Sequence, residues 1–438
     1  MRLRNGFLVL CLLALSACVA RNSSSLLSPI PNLYTFETGE AYPVSSVPPG
    51  FRQTITEILY MTDRNPILDE SGVVMAYGDK RNNSMAFGAS WVEYGNLNSW
   101  EELIAQTQAT GGQAKTRLDP VGLSELSRFP ATPLPYEAGG GPLQTTASSR
   151  AAYGSRAALM KAEIGSRMRA HGLDRALIYV HGFNNEFTDG VGTLASIWHY
   201  AGRKSLPVMF SWPAGNDGPL AYFRDIESGE FSIFHVKEFM RILADVPEVK
   251  RIDIVAHSRG TAVMTTALRE LLIEHRGAGR NPSKAMKTGV LVLAAADLDF
   301  GVSRQRLVAE RFADAFSQIN IYTNPKDGAL RLSRLIGNVT RLGGLDPDSL
   351  SATELKNIGL ADNANLIIVD GGGLQLGHAY FRKNPAVLSD IVLALRTRGM
   401  PGSEFRPLEP VMDNIWRLHQ NYPAKPLPKQ LDRPLRDR

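Results

Sequence analysis

The pattern of hydrophobic positions changes near residue 155. From there to about residue 400, short and continuously apolar runs alternate with amphipathic stretches. Such runs are typical of strands buried on both faces of a parallel sheet, with helices between them. The pattern predicts strands over 176–180, 206–210, 252–255, 290–294, 319–322 and 366–369. We therefore expect an α/β fold with a mostly parallel central sheet and helices on both faces.

Two helices are predicted between and after these strands. Over 259–275, apolar residues recur at helical spacing: Ala262, Val263, Ala267, Leu268, Leu271 and Leu272. The stretch 385–396 begins with a proline, which is favoured at the first position of a helix. Two earlier strands are expected over 54–60 and 85–92, the second entered through a polar turn at 79–83.

The remaining segments lack a sustained hydrophobic period. Residues 105–150 are rich in Gly, Thr, Pro and Ser, and we expect long loops there. We interpret 18–50 as a tether and 51–398 as the folded domain. The tail 399–438 is rich in proline and basic residues, so we expect a mostly solvated extension with a docking segment around 412–418.

The first residues have the form of a secretory leader. A basic start precedes an apolar run over 7–15, which is too short to span a bilayer. The tetrad Leu15-Ser16-Ala17-Cys18 resembles the bacterial lipobox, whose cysteine is acylated after cleavage. We therefore predict a lipoprotein signal peptide over 1–17 and lipidation at Cys18. Because Val19 follows the cysteine, we expect an anchor in the outer membrane, facing the periplasm.

Composition excludes several classes of protein. An apolar fraction of 44% excludes a disordered chain. The chain has two cysteines, Cys11 and Cys18, both within the first eighteen residues, which excludes a disulfide scaffold. A net charge of +5 is mild for 438 residues, so we expect no nucleic-acid partner. We also expect no metal ion and no cofactor.

The most informative segment lies at the end of the predicted strand 252–255. Ala256-His257-Ser258-Arg259-Gly260 fits the small-x-Ser-x-small pattern of a nucleophile elbow, with a strand before it and a helix after it. Small residues are needed on both sides because the turn is tight. Ser258 is therefore the candidate nucleophile, at the carboxyl edge of the sheet.

A serine nucleophile needs a histidine to accept its proton and an acid to orient that histidine. His378 lies in a glycine-rich loop just past the last predicted strand and is the candidate base. His275 falls about four turns away along the helix after Ser258, and His419 lies in the polar tail.

Three carboxylates are candidates for the acid. Asp297 and Asp299 follow the strand 290–294, and Asp327 follows the strand 319–322. We assign Asp327, which lies one strand before the histidine loop, and Asp297 remains the alternative. Lys326 would lower the pKa of that carboxyl if its side chain pointed inward.

The oxyanion hole should combine two backbone amides. The first is that of Arg259, and the second lies in His181-Gly182-Phe183-Asn184, directly after the strand 176–180. We assign Phe183, with Asn184 as the alternative, and we expect His181 to organise the loop.

Four residues near this edge are expected to contact substrate: His181, Asn184, Trp212 and Tyr222. The aromatic segment 212–239 is either a lid or substrate wall, or simple core packing.

These motifs together resemble the α/β-hydrolase superfamily, and within it a bacterial family of hydrolase-like domains of unknown function. The matches include 60–64, the loop 181–184, the elbow 256–260 and the Gly-His-Ala-Tyr-Phe segment 377–381. The resemblance covers about residues 52 to 397 and implies a hydrolase. Arg259 departs from the small or apolar residue usual at that position, which places a cation near the mouth of the site.

The expected function is that of a membrane-anchored serine hydrolase acting on a small-molecule or lipid ester. Esters are expected over amides because alcohols leave more easily. The alternative is a catalytically inactive hydrolase fold that serves as a binding or structural module of the cell envelope.

Overall fold

The computed structural model describes residues 26–35, 42–109, 116–137, 144–216, 218, 220–360, 363–370, 377–428 and 431. The predicted signal peptide and the predicted lipidation site, Cys18, lie outside these residues.

Within this described part, the strands are β1 (Ile55–Leu68), β2 (Val74–Tyr94), β3 (Leu118–Arg128), β4 (Tyr136–Glu137), β5 (Gln144–Thr145), β6 (Arg175–Val180), β7 (Leu206–Ser211), β8 (Arg251–His257), β9 (Thr288–Ala294), β10 (Gln318–Thr323), β11 (Ala364–Val369), β12 (Glu409–Met412) and β13 (Ile415–Leu418). The α-helices are α1 (Trp100–Thr107), α2 (Ala147–His171), α3 (Phe187–Tyr200), α4 (Ala221–Ala244), α5 (Gly260–Gly277), α6 (Pro282–Met286), α7 (Phe300–Ser303), α8 (Gly328–Gly337), α9 (Ala352–Gly359), α10 (Tyr380–Lys383) and α11 (Pro385–Thr397).

One large sheet holds most of these strands, in the order β12-β13-β11-β10-β9-β8-β6-β7-β1-β2-β3. The strands from β13 to β1 are parallel to one another, and antiparallel pairs occur at both margins, between β12 and β13 and among β1, β2 and β3. The prediction of a mostly parallel sheet is therefore confirmed.

The order of the central strands places helices on both faces. The chain passes from β6 through α3 to β7 on one side, and then through α4 back across β6 to β8. Because parallel crossovers are right-handed, these opposite steps put α3 and α4 on opposite faces of the sheet. Helix α4 packs against α5, where a Cβ added to Gly229 would lie 3.0 Å from Val263 Cγ2.

The six buried strands predicted from apolar runs are confirmed as β6 to β11. Strands β7 and β9 are buried at every position, which explains why their sequences do not alternate. The helices predicted over 259–275 and 385–396 are confirmed as α5 and α11.

Two predictions for the first half of the domain are wrong. The polar run 79–83 was expected to be a turn, but it lies inside the long strand β2. Residues 105–150, expected to be loops, include β3 and the start of α2. Strand β3 carries Pro120 and Gly122, which weaken a strand pattern but are tolerated because β3 is at the edge of the sheet.

The expected tether and tail also need correction where they are described. From Leu27 onward the N-terminal segment packs on the domain, with Leu33 fully buried and Tyr34 Oη donating to Tyr200 O at 2.6 Å. The tail adds β12 and β13 to the sheet, so that the predicted docking segment 412–418 is mostly a strand. Arg406 anchors the tail through a buried ion pair with Asp390.

Candidate active site

The carboxyl ends of the parallel strands meet at one edge of the sheet. Ser258 directly follows β8, the loop 181–184 follows β6, Asp327 follows β10 and His378 comes after β11. Ligands of open α/β folds bind at this edge, where a reversal of strand order leaves a crevice.

Ser258 occupies a sharp strand-to-helix turn. Its φ of +51° lies in the left-handed region, and its amide donates to Ala294 O at 2.9 Å. A Cβ at Gly260 would lie 2.2 Å from His181 O, and one at Gly182 would lie 2.8 Å from Ser258 Cβ. Both glycines are therefore required for the close approach of the turn to the loop after β6.

His378 lies between the serine and an aspartate. Its Nε2 is 2.6 Å from Ser258 Oγ, and its Nδ1 is 2.9 Å from Asp327 Oδ2. Because an ionised carboxylate only accepts, Nδ1 carries the proton and Nε2 is left to accept the serine hydrogen. The three side chains thus form the arrangement of a Ser-His-Asp triad.

Asp327 is held by the helix that it begins. It is fully buried and is the N-cap of α8, where its Oδ1 accepts from the amides of Ala329 at 3.0 Å and Leu330 at 3.1 Å. The other oxygen is left for His378. Lys326 is exposed, so the inward orientation considered for it is not found.

Two opposing effects act on the pKa of His378. Burial lowers it, but the Asp327 carboxylate outweighs burial, so that the pKa of His378 is raised above its ordinary value of 6.5. The imidazolium that would form when His378 accepts a proton is therefore stabilised where it is needed.

Asp297, the alternative acid, is engaged elsewhere. Its Oδ2 accepts from Tyr222 Oη at 2.9 Å, its Oδ1 accepts from Ser333 Oγ at 2.8 Å, and Arg341 Nε lies 3.2 Å from Oδ1. Burial next to Asp297 raises the pKa of Tyr222 to about 12. The third candidate, Asp299, caps α7 by accepting from the amide of Val302.

The two backbone amides predicted to form the oxyanion hole, those of Phe183 and Arg259, are free to bind a substrate oxygen. The amide of Asn184, the alternative donor, points instead to the buried Asp225, whose Oδ2 accepts it at 2.9 Å. Within the described residues, the amides of Phe183 and Arg259 donate no hydrogen bond. The geometry therefore favours Phe183 over Asn184 as the partner of Arg259.

Arg64 supports this loop and was not singled out as a functional residue by the sequence analysis. It is 1% exposed, and its Nη2 lies 2.6 Å from Asn185 O and 3.3 Å from His181 Nε2. Its Nε donates to Ser211 Oγ at 2.8 Å. The sequence signal for Arg64 was its position at the end of segment 60–64, which resembles the hydrolase-like family.

His181 is a neutral support of the loop. Burial, reinforced by the Arg64 guanidinium, lowers the pKa of His181 to about 3. Its Nδ1 donates to Gly182 O at 3.0 Å, so that Nε2 faces Arg64 without a proton. The expectation that His181 organises the loop agrees with these contacts.

Three predicted substrate contacts need correction, because these side chains lie beneath the loop. His181 and Trp212 are both 0% exposed, and Trp212 Nε1 donates to His181 O at 2.8 Å. Tyr222 is buried, with its hydroxyl on Asp297 and its ring edge-on to Phe183 at 5.6 Å. Each positions the site instead of facing a substrate. Asn184 is half-buried, and its contact with substrate stays a prediction.

His257 is a second supporting residue that the sequence analysis left without a role. Its Nε2 donates to the backbone oxygen of His378 at 3.2 Å, and its ring stacks on Phe381 at 4.4 Å. Burial, together with the neighbouring His378, holds the pKa of His257 well below 6.5, so that it stays neutral. It thereby fixes the backbone that carries the base.

The side chain of Arg259 turns away from the sheet toward α4. It is 14% exposed, and its Nη2 lies 3.5 Å from Glu230 Oε1. The cation that distinguishes this elbow is therefore held between α4 and the start of α5.

A cavity of about 580 Å³ lies beside the site. It opens between the β1–β2 hairpin, β3 and the start of α3, and its lining includes Arg64, Tyr77 and Phe187. Its lining includes neither Ser258 nor His378, so the site is defined by the hydrogen-bonded triad and not by this cavity.

A mostly parallel sheet, a strained serine between a strand and a helix, and a histidine and an acid on later strand ends define an α/β hydrolase. Residues 156–396, more than half of the chain, match the family described as alpha/beta hydrolase of unknown function (DUF900). The chain belongs to that family. A search of curated proteins found no match to the chain. None of the described helices is both long and apolar enough to cross a bilayer.

Proposed function

We propose that the protein is a serine hydrolase that cleaves carboxylic esters. The observation that carries this proposal is the continuous chain of hydrogen bonds from Ser258 Oγ through His378 to Asp327, at 2.6 and 2.9 Å. A neutral imidazole that faces a serine hydroxyl on one side and a buried carboxylate on the other activates that hydroxyl as a nucleophile.

In the first half of the reaction, Ser258 Oγ attacks the ester carbonyl carbon while His378 Nε2 takes the hydroxyl proton. The negative charge that develops on the carbonyl oxygen is bound by the amides of Phe183 and Arg259. Asp327 stabilises the imidazolium. Collapse of the tetrahedral intermediate breaks the bond to the leaving oxygen, and His378 returns the proton to the departing alcohol.

In the second half, a water molecule attacks the acyl-serine while His378 takes one of its protons. The same amides bind the second oxyanion. The acid product leaves, Ser258 regains its proton, and the enzyme returns to its starting state. Esters are favoured over amides because an alkoxide is a better leaving group than an amide anion.

Ester turnover tests this proposal. Wild type should hydrolyse p-nitrophenyl butyrate, and Ser258→Ala should lower kcat/KM by at least about 10⁴-fold, because the nucleophile is removed. Ser333→Ala is the matched control, a buried serine that touches Asp297 but no triad atom. The assignment of Ser258 would be refuted if Ser258→Ala kept its turnover while the Ser333→Ala control lost it. Absence of turnover in the wild type would favour the binding-module alternative.

We further propose that the mature protein is anchored through an acylated Cys18 to a bacterial membrane, facing the periplasm from the outer membrane. This part rests on the sequence motif alone. Cys18→Ala should move the protein from the membrane fraction to the soluble fraction of the cell once the membranes are washed at high salt, which screens contacts between basic side chains and anionic lipid. A protein that stays membrane-bound after this wash would contradict the lipid anchor.

A further inference from the structure

Three segments form a rim around the candidate site, each beginning after the carboxyl end of a strand. They are the start of α4 after β7, the segment with α7 after β9, and α8 after β10. One buried carboxylate joins them, because Asp297 accepts from Tyr222 of α4 and from Ser333 of α8. The amide of Asp297 in turn donates to Ser258 O at 3.3 Å. The rim is therefore packed directly on the nucleophile turn.

Large apolar side chains stand exposed on all three segments. Leu335 of α8 is 74% exposed and Phe223 of α4 is 46% exposed. We call the exposed apolar set the rim surface: Leu220, Phe223, Val302, Val308 and Leu335. Single exposed apolar residues are ordinary, but a set on three adjoining segments around a site indicates an interaction surface.

The charge on α8 is of one sign. Between residues 326 and 341 the chain has four basic residues and one acidic residue, and that acid is the buried Asp327. Arg331 and Arg334 are both exposed, and within the described residues neither forms an ion pair. On the neighbouring segment, by contrast, Arg304 pairs with Glu354.

We propose that the rim surface and α8 dock on an anionic phospholipid bilayer, and that the natural substrate is an ester of a lipid held in it. Leu335 would enter the acyl boundary while Arg331 and Arg334 bind headgroup phosphates, the arrangement of an interfacial amphipathic helix. The exposed apolar and cationic side chains complement both layers of such a surface. The choice of substrate rests on the proposed function, whereas the docking itself does not.

Vesicle flotation tests the docking without any need for turnover. The mature chain from residue 18 onward, carrying Cys18→Ser to remove the predicted acyl anchor, is mixed with vesicles of phosphatidylcholine or of an equal mixture of phosphatidylcholine and phosphatidylglycerol. We expect binding to the mixed vesicles to exceed binding to phosphatidylcholine alone and to fall as salt is raised. Equal binding to both kinds of vesicle would overturn the proposal.

Two variants and a matched control locate the surface. Arg331→Gln with Arg334→Gln should weaken binding to the mixed vesicles about 30-fold, since each cation near an anionic surface adds about 1 kcal/mol, which is about fivefold in affinity. Leu335→Ser should weaken it through loss of the apolar contact. The control is Lys250→Gln with Lys284→Gln, which removes two exposed cations at the opposite edge of the sheet and should bind as the parent does. Unchanged binding in the arginine variant, or an equal loss in the control, would overturn the proposal.

Hydrolysis then separates this inference from the proposed function. In the arginine variant, hydrolysis of vesicle phospholipid should fall while p-nitrophenyl butyrate turnover is retained, which also shows that the variant is folded. If the parent hydrolyses neither substrate, the proposed function fails and flotation still decides the docking. If it hydrolyses p-nitrophenyl butyrate but no vesicle phospholipid, the lipid-ester substrate is refuted while the hydrolase stands.

Discussion

Asp297 and Asp327 are two buried aspartates that follow neighbouring strands, and only one of them touches the base. Asp297, after β9, has both oxygens occupied by Tyr222 and Ser333. Asp327, after β10, gives one oxygen to the first amides of α8 and keeps the other for His378. The difference is the number of acceptor sites left open, not burial, since both side chains are almost fully buried.

The comparison shows how an aspartate can either join structural segments or support the proposed reaction. A helix N-terminus fixes a carboxylate with donors on one oxygen only, and it compensates the charge without a competing cation. A carboxylate that joins three segments uses all its acceptor capacity on them. We therefore expect changes at Asp327 to affect turnover and changes at Asp297 to affect stability.

The largest expected effect is on turnover in Asp327→Asn. Asparagine is as good an N-cap as aspartate, so α8 should be preserved. Its amide group would donate to His378 Nδ1, which moves the imidazole proton to Nε2 and prevents it from accepting from Ser258. We expect kcat to fall on the order of 10⁴-fold, measured with p-nitrophenyl butyrate. Asp297→Asn is the matched change and should retain most activity. The opposite ranking would mean that Asp297 is the acid.

The second effect is on the pH dependence of kcat/KM. His378 must be neutral to accept a proton, so activity should fall as pH drops through its raised pKa, with a midpoint above 6.5. Asp327 is the main cause of the raised value and Asp297 a lesser one. Asp327→Asn should therefore move the midpoint down strongly, and Asp297→Asn only slightly. A midpoint that does not move in Asp327→Asn would contradict the pairing.

The same shift predicts a linkage to stability. A group whose pKa is higher in the folded than in the unfolded chain stabilises the fold below the unfolded pKa, and that contribution disappears as pH rises through the folded pKa. Wild type should thus gain stability relative to Asp327→Asn on going from pH 8 toward pH 6, in denaturant titrations at each pH.

The third effect is the loss of stability in Asp297→Asn. An asparagine side chain has one acceptor oxygen, so it cannot accept from Tyr222 Oη and Ser333 Oγ on two separate oxygens. It also leaves Arg341 without its carboxylate partner. The free energy of unfolding should fall by about 3 kcal/mol, measured by urea titration. Asp327→Asn should lose less in the same experiment because its cap is kept. An equal loss of unfolding free energy in the two variants would contradict the distinction between a structural Asp297 and an Asp327 that serves the reaction.

The smallest effect is expected in Tyr222→Phe. The change removes one hydrogen bond to Asp297 while Ser333 remains bound, so the free energy of unfolding should fall by about 1 kcal/mol. The ring and its edge-on contact with Phe183 are kept, and ester turnover should change little. A large fall in kcat without a change in KM would indicate that the Tyr222 hydroxyl acts in the reaction itself.

The central fold and the candidate triad could be predicted because both depend on local patterns. Buried parallel strands are continuous apolar runs, and a nucleophile elbow is a short motif between a strand and a helix. The acid and the base are expected after the carboxyl ends of later strands, which limits the candidates for each to a few residues. The choice between Asp297 and Asp327 could only be ranked, because it depends on donors from α4 and α8 that are distant in sequence.

The features that were missed depend on contacts between distant segments. Arg64 has the sequence context of a surface cation, and its role requires that β1 lie beside β7, far away along the chain. Strand β13 has four residues, and its pairing with β11 is not encoded in its own short pattern. Trp212 and His181 were assigned to substrate from their position after strands, yet their stacking at 5.2 Å places both inside the support of the loop.

The central claim is that Ser258 is a nucleophile activated through His378 by Asp327. The most direct measurement is the rate at which a fluorophosphonate modifies Ser258, followed by intact mass and peptide mapping in wild type, Asp327→Asn and Asp297→Asn. We predict stoichiometric modification of Ser258 at similar rates in wild type and Asp297→Asn, and a rate lower by orders of magnitude in Asp327→Asn. No modification of Ser258 in the folded wild type, or slow modification in Asp297→Asn alone, would contradict the account.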